Sequence, residues 1–200
     1  MATYHAIAAI SEAIKALLER AAPRPEFDGA IFSLYQSKDF QNPMDEGVSL
    51  YLFRVATSSR RNLPARLGPN GEKYRPPLPL DLYYLLTAWG RTPERQQLLL
   101  GWSVRELGDH PILPASLLND FIRDAETFRS VEVFRPEEAV ELVFEPLSLQ
   151  DSANLWEPLK PNLQASATYV ARMVALESSV ELPADRLVET RQFNLAKAGD

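Results

Sequence analysis

The N-terminal part of the sequence carries a helical repeat of apolar residues. Between residues 3 and 20, apolar positions recur at spacings of three and four, which is typical of an amphipathic helix with one buried face. The stripe consists of Ile7, Ile10, Ile14 and Leu17. Pro23 and Pro25 follow it and end the predicted helix, because proline lacks an amide donor and clashes with the preceding turn.

Alternating apolar positions predict strands further along the chain. Residues 78–89 form the strongest candidate, which we expect to be the central strand. Leu82, Leu85 and Leu86 would also fit a helix, but the prolines around this segment and its aromatic content favour a strand. The segments predicted as strands are residues 30–35, 48–56, 78–89, 128–134, 139–147 and 165–177.

Capping residues mark the remaining helices. Thr92 followed by Pro93 is typical of a helix start, and Gly108 stands where a C-terminal cap would end that helix near residue 107. Two shorter helices are predicted over residues 114–125 and 148–156. The tryptophans, expected to anchor the core, are Trp89, Trp102 and Trp156.

The elements add up to an α+β fold with about five strands and three or four helices. We predict one domain over residues 1–177, followed by an extended arm or tail over residues 178–200, where the pattern weakens. Hydrophobic residues make up 46% of the 200 positions, which is ordinary for a folded domain. No apolar run approaches the roughly 20 residues that span a bilayer, and no signal-peptide pattern opens the chain, so we expect folding in the cytoplasm.

Charge is unevenly distributed along the chain. The net charge of −6 disfavours general binding to nucleic acid, which depends on neutralising phosphates. A long loop predicted over residues 57–77, however, holds five basic residues against Glu72 alone and so carries +4, leaving −10 for the rest. Two interpretations stay open: a solvated loop, or a contact with an acidic protein surface.

The residues needed for catalysis or metal binding do not come together in the sequence. Cysteine is absent, and the two histidines, His5 and His110, lie in different elements without a metal-binding motif. Ser103 only superficially fits a nucleophile elbow, since the second glycine is missing and the residue falls inside a predicted helix. Residues 68–73 have the wrong spacing for a phosphate loop and predict a turn. We therefore expect no cofactor and no enzymatic activity.

Four segments, taken in order, resemble a known family. They are residues 51–55 with 61–62, residues 75–88, residues 98–101 with 107–113, and residues 155–156 with 166–172. Together they resemble the N-terminal domain of the cap, or tail-terminator, proteins of extracellular contractile injection systems of the antifeeding-prophage and virulence-cassette type. The resemblance spans about residues 5–177, and its most specific part is the proline pair that leads into Leu78-Pro-Leu-Asp-Leu-Tyr-Tyr-Leu-Leu86.

The resemblance implies a fold similar to phage tail terminators, with a mixed, largely antiparallel sheet flanked by helices. It implies a ring, expected to be hexameric, that ends polymerisation of the inner tube and binds the last layer of the sheath. The implied partners are other copies of the chain, the inner-tube protein and the sheath protein, without nucleic acid, membrane, metal or cofactor. Such a protein is cytoplasmic during assembly and becomes part of a phage tail-like particle that can be released. A non-catalytic adaptor or a phage tail-completion protein remains the alternative.

Protein contacts are therefore the expected function of the basic loop. A sixfold ring needs two different complementary patches on each subunit, and the basic loop and the acidic remainder supply opposite signs. The candidate interface residues are Arg60, Arg61, Asn62, Arg66 and Arg75. A second hypothesis is that the segment after Leu176, or an edge of the sheet, joins the sheath by strand addition.

Overall fold

The computed structural model describes residues 4–58, 63–68, 70–123, 128, 133–159 and 163–183. Its helices are α1 (Ala6–Ala21), α2 (Pro93–Asp109), α3 (Ala115–Ile122) and α4 (Leu149–Trp156). Its strands are β1 (Ile31–Leu34), β2 (Gly47–Thr57), β3 (Arg66–Leu67), β4 (Lys73–Tyr74), β5 (Leu78–Trp89), β6 (Ile112–Pro114), β7 (Ala139–Phe144) and β8 (Ser166–Leu176). Short 3-10 helices lie between β1 and β2, at Ser37–Gln41, and directly after α4, at Glu157–Leu159.

Six strands form one sheet in the order β1-β2-β5-β8-β7-β6. Strand β1 runs parallel to β2, and every other neighbouring pair is antiparallel, so the predicted α+β fold with a mixed, largely antiparallel sheet is confirmed. The long strand β5 lies inside the sheet between β2 and β8, as its alternation predicts. The prediction of about five strands missed β6, which has three residues, and the separate two-stranded hairpin of β3 and β4.

A layer of helices covers one face of the sheet. Helix α1 belongs to this layer and buries Ile10, Ile14 and Leu18 in the core. This burial agrees with the apolar stripe that the sequence predicts. From the sheet, Leu82, Tyr84 and Leu86 of β5 enter the same core, since alternate residues of a strand point to the same face. Further buried residues come from α2, α3, β7 and β8, which makes this core continuous across the domain.

The opposite face of the sheet has a smaller core of its own. Phe40 from the first 3-10 turn and Trp156 from α4 pack with Leu85 and Trp89 of β5. Trp89 also donates a hydrogen bond of 2.8 Å from Nε1 to the hydroxyl of Ser49, which satisfies its polar atom. Trp102 is half-buried in the helical layer, so the tryptophans divide between the two cores.

Helix α2 begins as predicted but ends later. The hydroxyl of Thr92 accepts a hydrogen bond of 3.3 Å from the amide of Arg95, which is the expected N-terminal cap. The helix continues through Gly108 to Asp109 and has His110 at its C-cap, so it ends two residues beyond the predicted end near residue 107, and Gly108 is not the cap. The strand predicted over residues 128–134 lies mostly outside the described residues.

Glu177, directly after β8, ties three parts of the chain together. Its carboxylate lies 2.6 Å from Nη2 of Arg135 and 3.1 Å from Nη1 of Arg66, the latter as an ion pair without hydrogen-bond geometry. The Glu177 side chain is 9% exposed, and the guanidinium of Arg66 also lies 4.6 Å from the ring centre of Tyr74. Two arginines therefore compensate one buried carboxylate, as a buried charge requires.

The buried pair of Tyr84 and Ser11, whose hydroxyl oxygens are 2.9 Å apart, links the sheet to α1. Tyr84→Phe is expected to lower the free energy of unfolding by about 1 kcal/mol, because the bond is lost while Ser11 keeps its bond to the Ile7 carbonyl. Ser11→Ala should cost more, about 1–3 kcal/mol, because it removes the partner of the fully buried Tyr84 hydroxyl, and the double variant should cost less than the sum. Urea denaturation at an unchanged m-value measures this, and strictly additive costs would contradict the coupling.

Removing the charge of Glu177 should loosen the C-terminal end of the domain. Glu177→Gln is expected to destabilise the protein by about 2 kcal/mol, less than a fully buried pair, because Arg135 is 31% exposed. Amides that join the following segment to the hairpin, those of Arg75 and Leu182, should exchange faster with deuterium. Glu137→Gln is the matched control, since that carboxylate is 69% exposed and lies 3.9 Å from Arg135. Equal effects of the two variants would contradict a special role for Glu177.

Candidate protein-interaction surface

The basic loop predicted over residues 57–77 contains a hairpin. Strands β3 and β4 pair Arg66 with Tyr74, and the amide of Gly68 donates a hydrogen bond of 2.7 Å to the Glu72 carbonyl. The turn passes through Gly71, whose φ of +89° favours glycine. Hydrogen bonds from its own backbone amide and from the side chain of Asn70 lower the pKa of Glu72. The hairpin thus holds one carboxylate close to its turn, within the basic segment.

The segment after β8 adds a third strand-like piece to this hairpin. The amide of Arg75 donates a hydrogen bond of 3.0 Å to the carbonyl of Val180, and the amide of Leu182 donates one of 2.6 Å to the carbonyl of Lys73. Tyr74 lies opposite Glu181 in an isolated antiparallel bridge. We name β3, β4 and residues 180–182 together the hairpin surface. The beginning of the predicted arm is therefore part of this surface, whereas the division of the chain at residue 177 stays a prediction.

The predicted interface residues have different positions in the structure. Arg66 is 16% exposed and pairs with Glu177 inside the molecule, so its charge already stabilises the hairpin surface. Arg75 is exposed and directly follows β4, and its backbone amide pairs with Val180. Arg60, Arg61 and Asn62 lie outside the described residues. Their role at an interface stays a prediction, and Arg75 is the described member best placed for it.

Exposed apolar residues accompany Arg75. Leu67 of β3 is 70% exposed, Leu78 at the start of β5 is 49% exposed and Val180 is 48% exposed. Apolar side chains together with an arginine are typical of surfaces that bind other proteins. The sequence prediction for this loop rested on its charged residues, although the loop also contains apolar residues such as Leu63 and Leu67.

Ser103 and His110, which the sequence analysis tests for catalysis or metal binding, make contacts within helix α2. Ser103 is buried within α2, where its hydroxyl donates a hydrogen bond of 2.7 Å to the carbonyl of Leu99. His110 lies at the end of the same helix, with Nδ1 3.2 Å from Oε1 of Glu106. Across the described ranges, no group of three histidines, aspartates or glutamates is arranged to hold a metal ion. None of the helices in that part of the chain is both long and apolar enough to cross a bilayer.

Two solved structures share this fold. The sheath/tube terminator of the PVC extracellular contractile injection system, in its extended state, has a TM-score of 0.61 and 15% identity, covering 96% of this chain and 64% of the terminator. The tube-terminating cap of the anti-feeding prophage has a TM-score of 0.58 and 15% identity, covering 92% of this chain and 60% of the cap. This chain thus spans less than two thirds of either protein.

Sequence comparison identifies the family. Curated protein sequences give no significant match. The Pvc16 N-terminal domain family, in contrast, matches residues 9–190, which confirms the resemblance expected from the four segments. Because this match covers most of the sequence, the chain belongs to the Pvc16 N-terminal domain family.

Proposed function

We propose that this chain is a structural cap of a contractile injection particle, where it ends the inner tube and binds the last sheath layer. The observation that carries the proposal is family membership over residues 9–190. The fold shared with a sheath/tube terminator over 96% of the chain supports it. The proposed role needs no catalytic residue and no cofactor, because termination is achieved by binding.

The subunits of the proposed cap form a ring, which we expect to be hexameric. A closed ring uses head-to-tail contacts between two different patches of each subunit. The hairpin surface can supply one patch, because Leu67 and Val180 offer apolar area and Arg75 offers an exposed positive charge. The net charge of −6 gives a neighbouring copy many carboxylates for Arg75 to face.

The proposed partners are other copies of the chain, the inner-tube protein and the sheath protein, first in the cytoplasm and then in the finished particle. Strand addition to the sheath remains part of the proposal. Residues 180–182 already pair with β4, so the edge strands of the main sheet are better placed for it. At one edge of the sheet, β1 pairs with β2 on one side only, and its first residue, Ile31, is 54% exposed.

Particles assembled without this protein test the proposed function. We expect tubes and sheaths whose lengths vary widely, because nothing stops the addition of subunits at the distal end. Electron microscopy of particles made with and without the chain measures the length distribution and the presence of a terminal ring. Particles of unchanged, uniform length with intact ends would refute the cap and favour a separate adaptor.

Charge reversal at Arg75 tests the hairpin surface. Arg75→Glu is expected to raise the dissociation constant of the ring about tenfold or more, because a like-charge contact replaces an attractive one. Reversing Arg60 and Arg61 together should act in the same direction. Native mass spectrometry counts the rings that remain at a fixed protein concentration.

Arg91→Glu is the matched control for these variants. Its guanidinium is 74% exposed and lies 3.7 Å from Asp45, away from the hairpin surface. This exposed pair contributes little to stability, so ring formation should not change. If Arg75→Glu assembles as well as Arg91→Glu, the hairpin surface is not an electrostatic contact of the ring.

A further inference from the structure

The outward face of the hairpin surface combines apolar and positively charged side chains. Arg66 and Tyr74 share the inward face, where Arg66 packs on the ring of Tyr74 and pairs with Glu177. Because successive residues of a strand point to opposite faces, the residues next to them lie on the outward face. The bridge between Tyr74 and Glu181 extends the same alternation to the third piece. The outward face therefore consists of Leu67, Lys73, Arg75, Val180 and Leu182.

Leu67 and Arg75 are the members of this face that are most available to a partner. Leu67 is 70% exposed. Arg75 is exposed, and within the described part of the chain it forms no ion pair. An arginine beside exposed apolar side chains is typical of residues that contribute strongly to protein interfaces. This face is therefore suited to a partner surface that is both apolar and acidic.

Helix α4 has a surface of this kind. Its inner side buries Trp156 in the smaller core, whereas Leu149, Ala153 and Glu157 follow one another at spacings of four and are exposed. Leu149 is 81% exposed. Glu157 is the C-cap residue of α4, keeps helical dihedral angles and makes no ion pair with a described residue. We name these three residues the α4 stripe.

The α4 stripe lies in a negatively charged part of the surface. Residues 144–160 hold Glu145, Asp151 and Glu157 against Lys160 alone, and so carry −2. Arg172 pairs with Glu145, which leaves −1 with the other two carboxylates exposed. The 3-10 helix at Ser37–Gln41 adds one lysine and one aspartate, which cancel. A positively charged side chain of a partner is stabilised beside these carboxylates.

We infer that the hairpin surface of one copy binds the α4 stripe of its neighbour, with Leu67 against Leu149 and Arg75 against Glu157. Leu67 pairs with Lys73, so Arg75 lies one strand across and two residues along, about 8 Å away. Leu149 and Glu157 are eight residues apart, which is about 12 Å along a helix. The difference lies within the reach of the long arginine side chain.

The two surfaces lie at opposite ends of β5, so one subunit cannot bind its own stripe. Trp156 of α4 packs with Trp89 at one end, whereas the hairpin surface adjoins the other end, where Leu78 pairs with Leu176. From Leu78 to Trp89, β5 spans about 36 Å. Each subunit then offers its hairpin to one neighbour and its stripe to the other, which is a head-to-tail contact. The inference thus rests on the proposed function and names both patches of the ring.

Charge exchange between the two surfaces tests this pairing. Glu157→Arg is expected to raise the dissociation constant of the ring about tenfold, like Arg75→Glu. Combining both changes in one chain restores an opposite-charge pair at every contact, so native mass spectrometry should show most of the rings again. Glu94→Arg combined with Arg75→Glu is the matched control, because Glu94 is exposed in the first turn of α2 and lies outside the α4 stripe. This control should recover few rings.

A cysteine pair tests the apolar half of the contact. Because the chain has no native cysteine, Leu67→Cys combined with Leu149→Cys places two thiols at the proposed contact of the full chain. Mild oxidation of the purified chain and of assembled particles should link copies about tenfold faster than in the control, since binding raises the local thiol concentration. Leu67→Cys combined with Ile112→Cys is that control, because Ile112 is 60% exposed and lies on β6.

Either a missing recovery in the charge-exchanged chain or crosslinking no faster than in the control overturns the contact. If particles nevertheless end at a uniform length with a terminal ring, the inference alone is wrong and the proposed function stands. Linked copies that leave particles uncapped confirm the contact and refute the cap.

Discussion

Burial of β5 on both of its faces is the constraint on which the rest of the structure depends. One face contributes Tyr84 to the helical layer and the other contributes Leu85 to the smaller core, while β2 and β8 bind its two edges. The strand therefore cannot slip by one residue without moving each side chain to the wrong core. Its end is equally fixed, because a Cβ on Gly90 would lie 2.6 Å from the backbone nitrogen of Gln96 in the first turn of α2.

Strand β8, which pairs with β5, reaches two different regions of the surface. Near its start, Tyr169 packs against the exposed ring of Phe144, and after its end, Glu177 fixes the hairpin surface through Arg66 and Arg135. Ladders with β5 and β7 hold β8 along its length. The two surfaces are thus separated by a rigid element and differ in chemistry. A subunit with two unlike, rigidly connected patches is suited to head-to-tail assembly and not to a twofold dimer.

Elements in which the hydrophobic pattern repeats over many residues could be predicted from the sequence, whereas elements of two or three residues could not. Residues 78–89 alternate for twelve positions and Thr92-Pro93 is a strong start signal, so β5 and α2 were predicted correctly. Strands β3, β4 and β6 have two or three residues, which is too short for alternation, and distant partners such as Glu177 decide their pairing. Gly108 predicts a helix end by local propensity, whereas α2 continues through it to Asp109.

Closure of the proposed ring requires a defined rotation from one subunit to the next. The hairpin surface is joined to the main sheet through Leu78 and Leu176, so its direction is set by the β5–β8 ladder. A ring whose subunits meet at the hairpin surface, as proposed, would therefore take its rotation from this ladder.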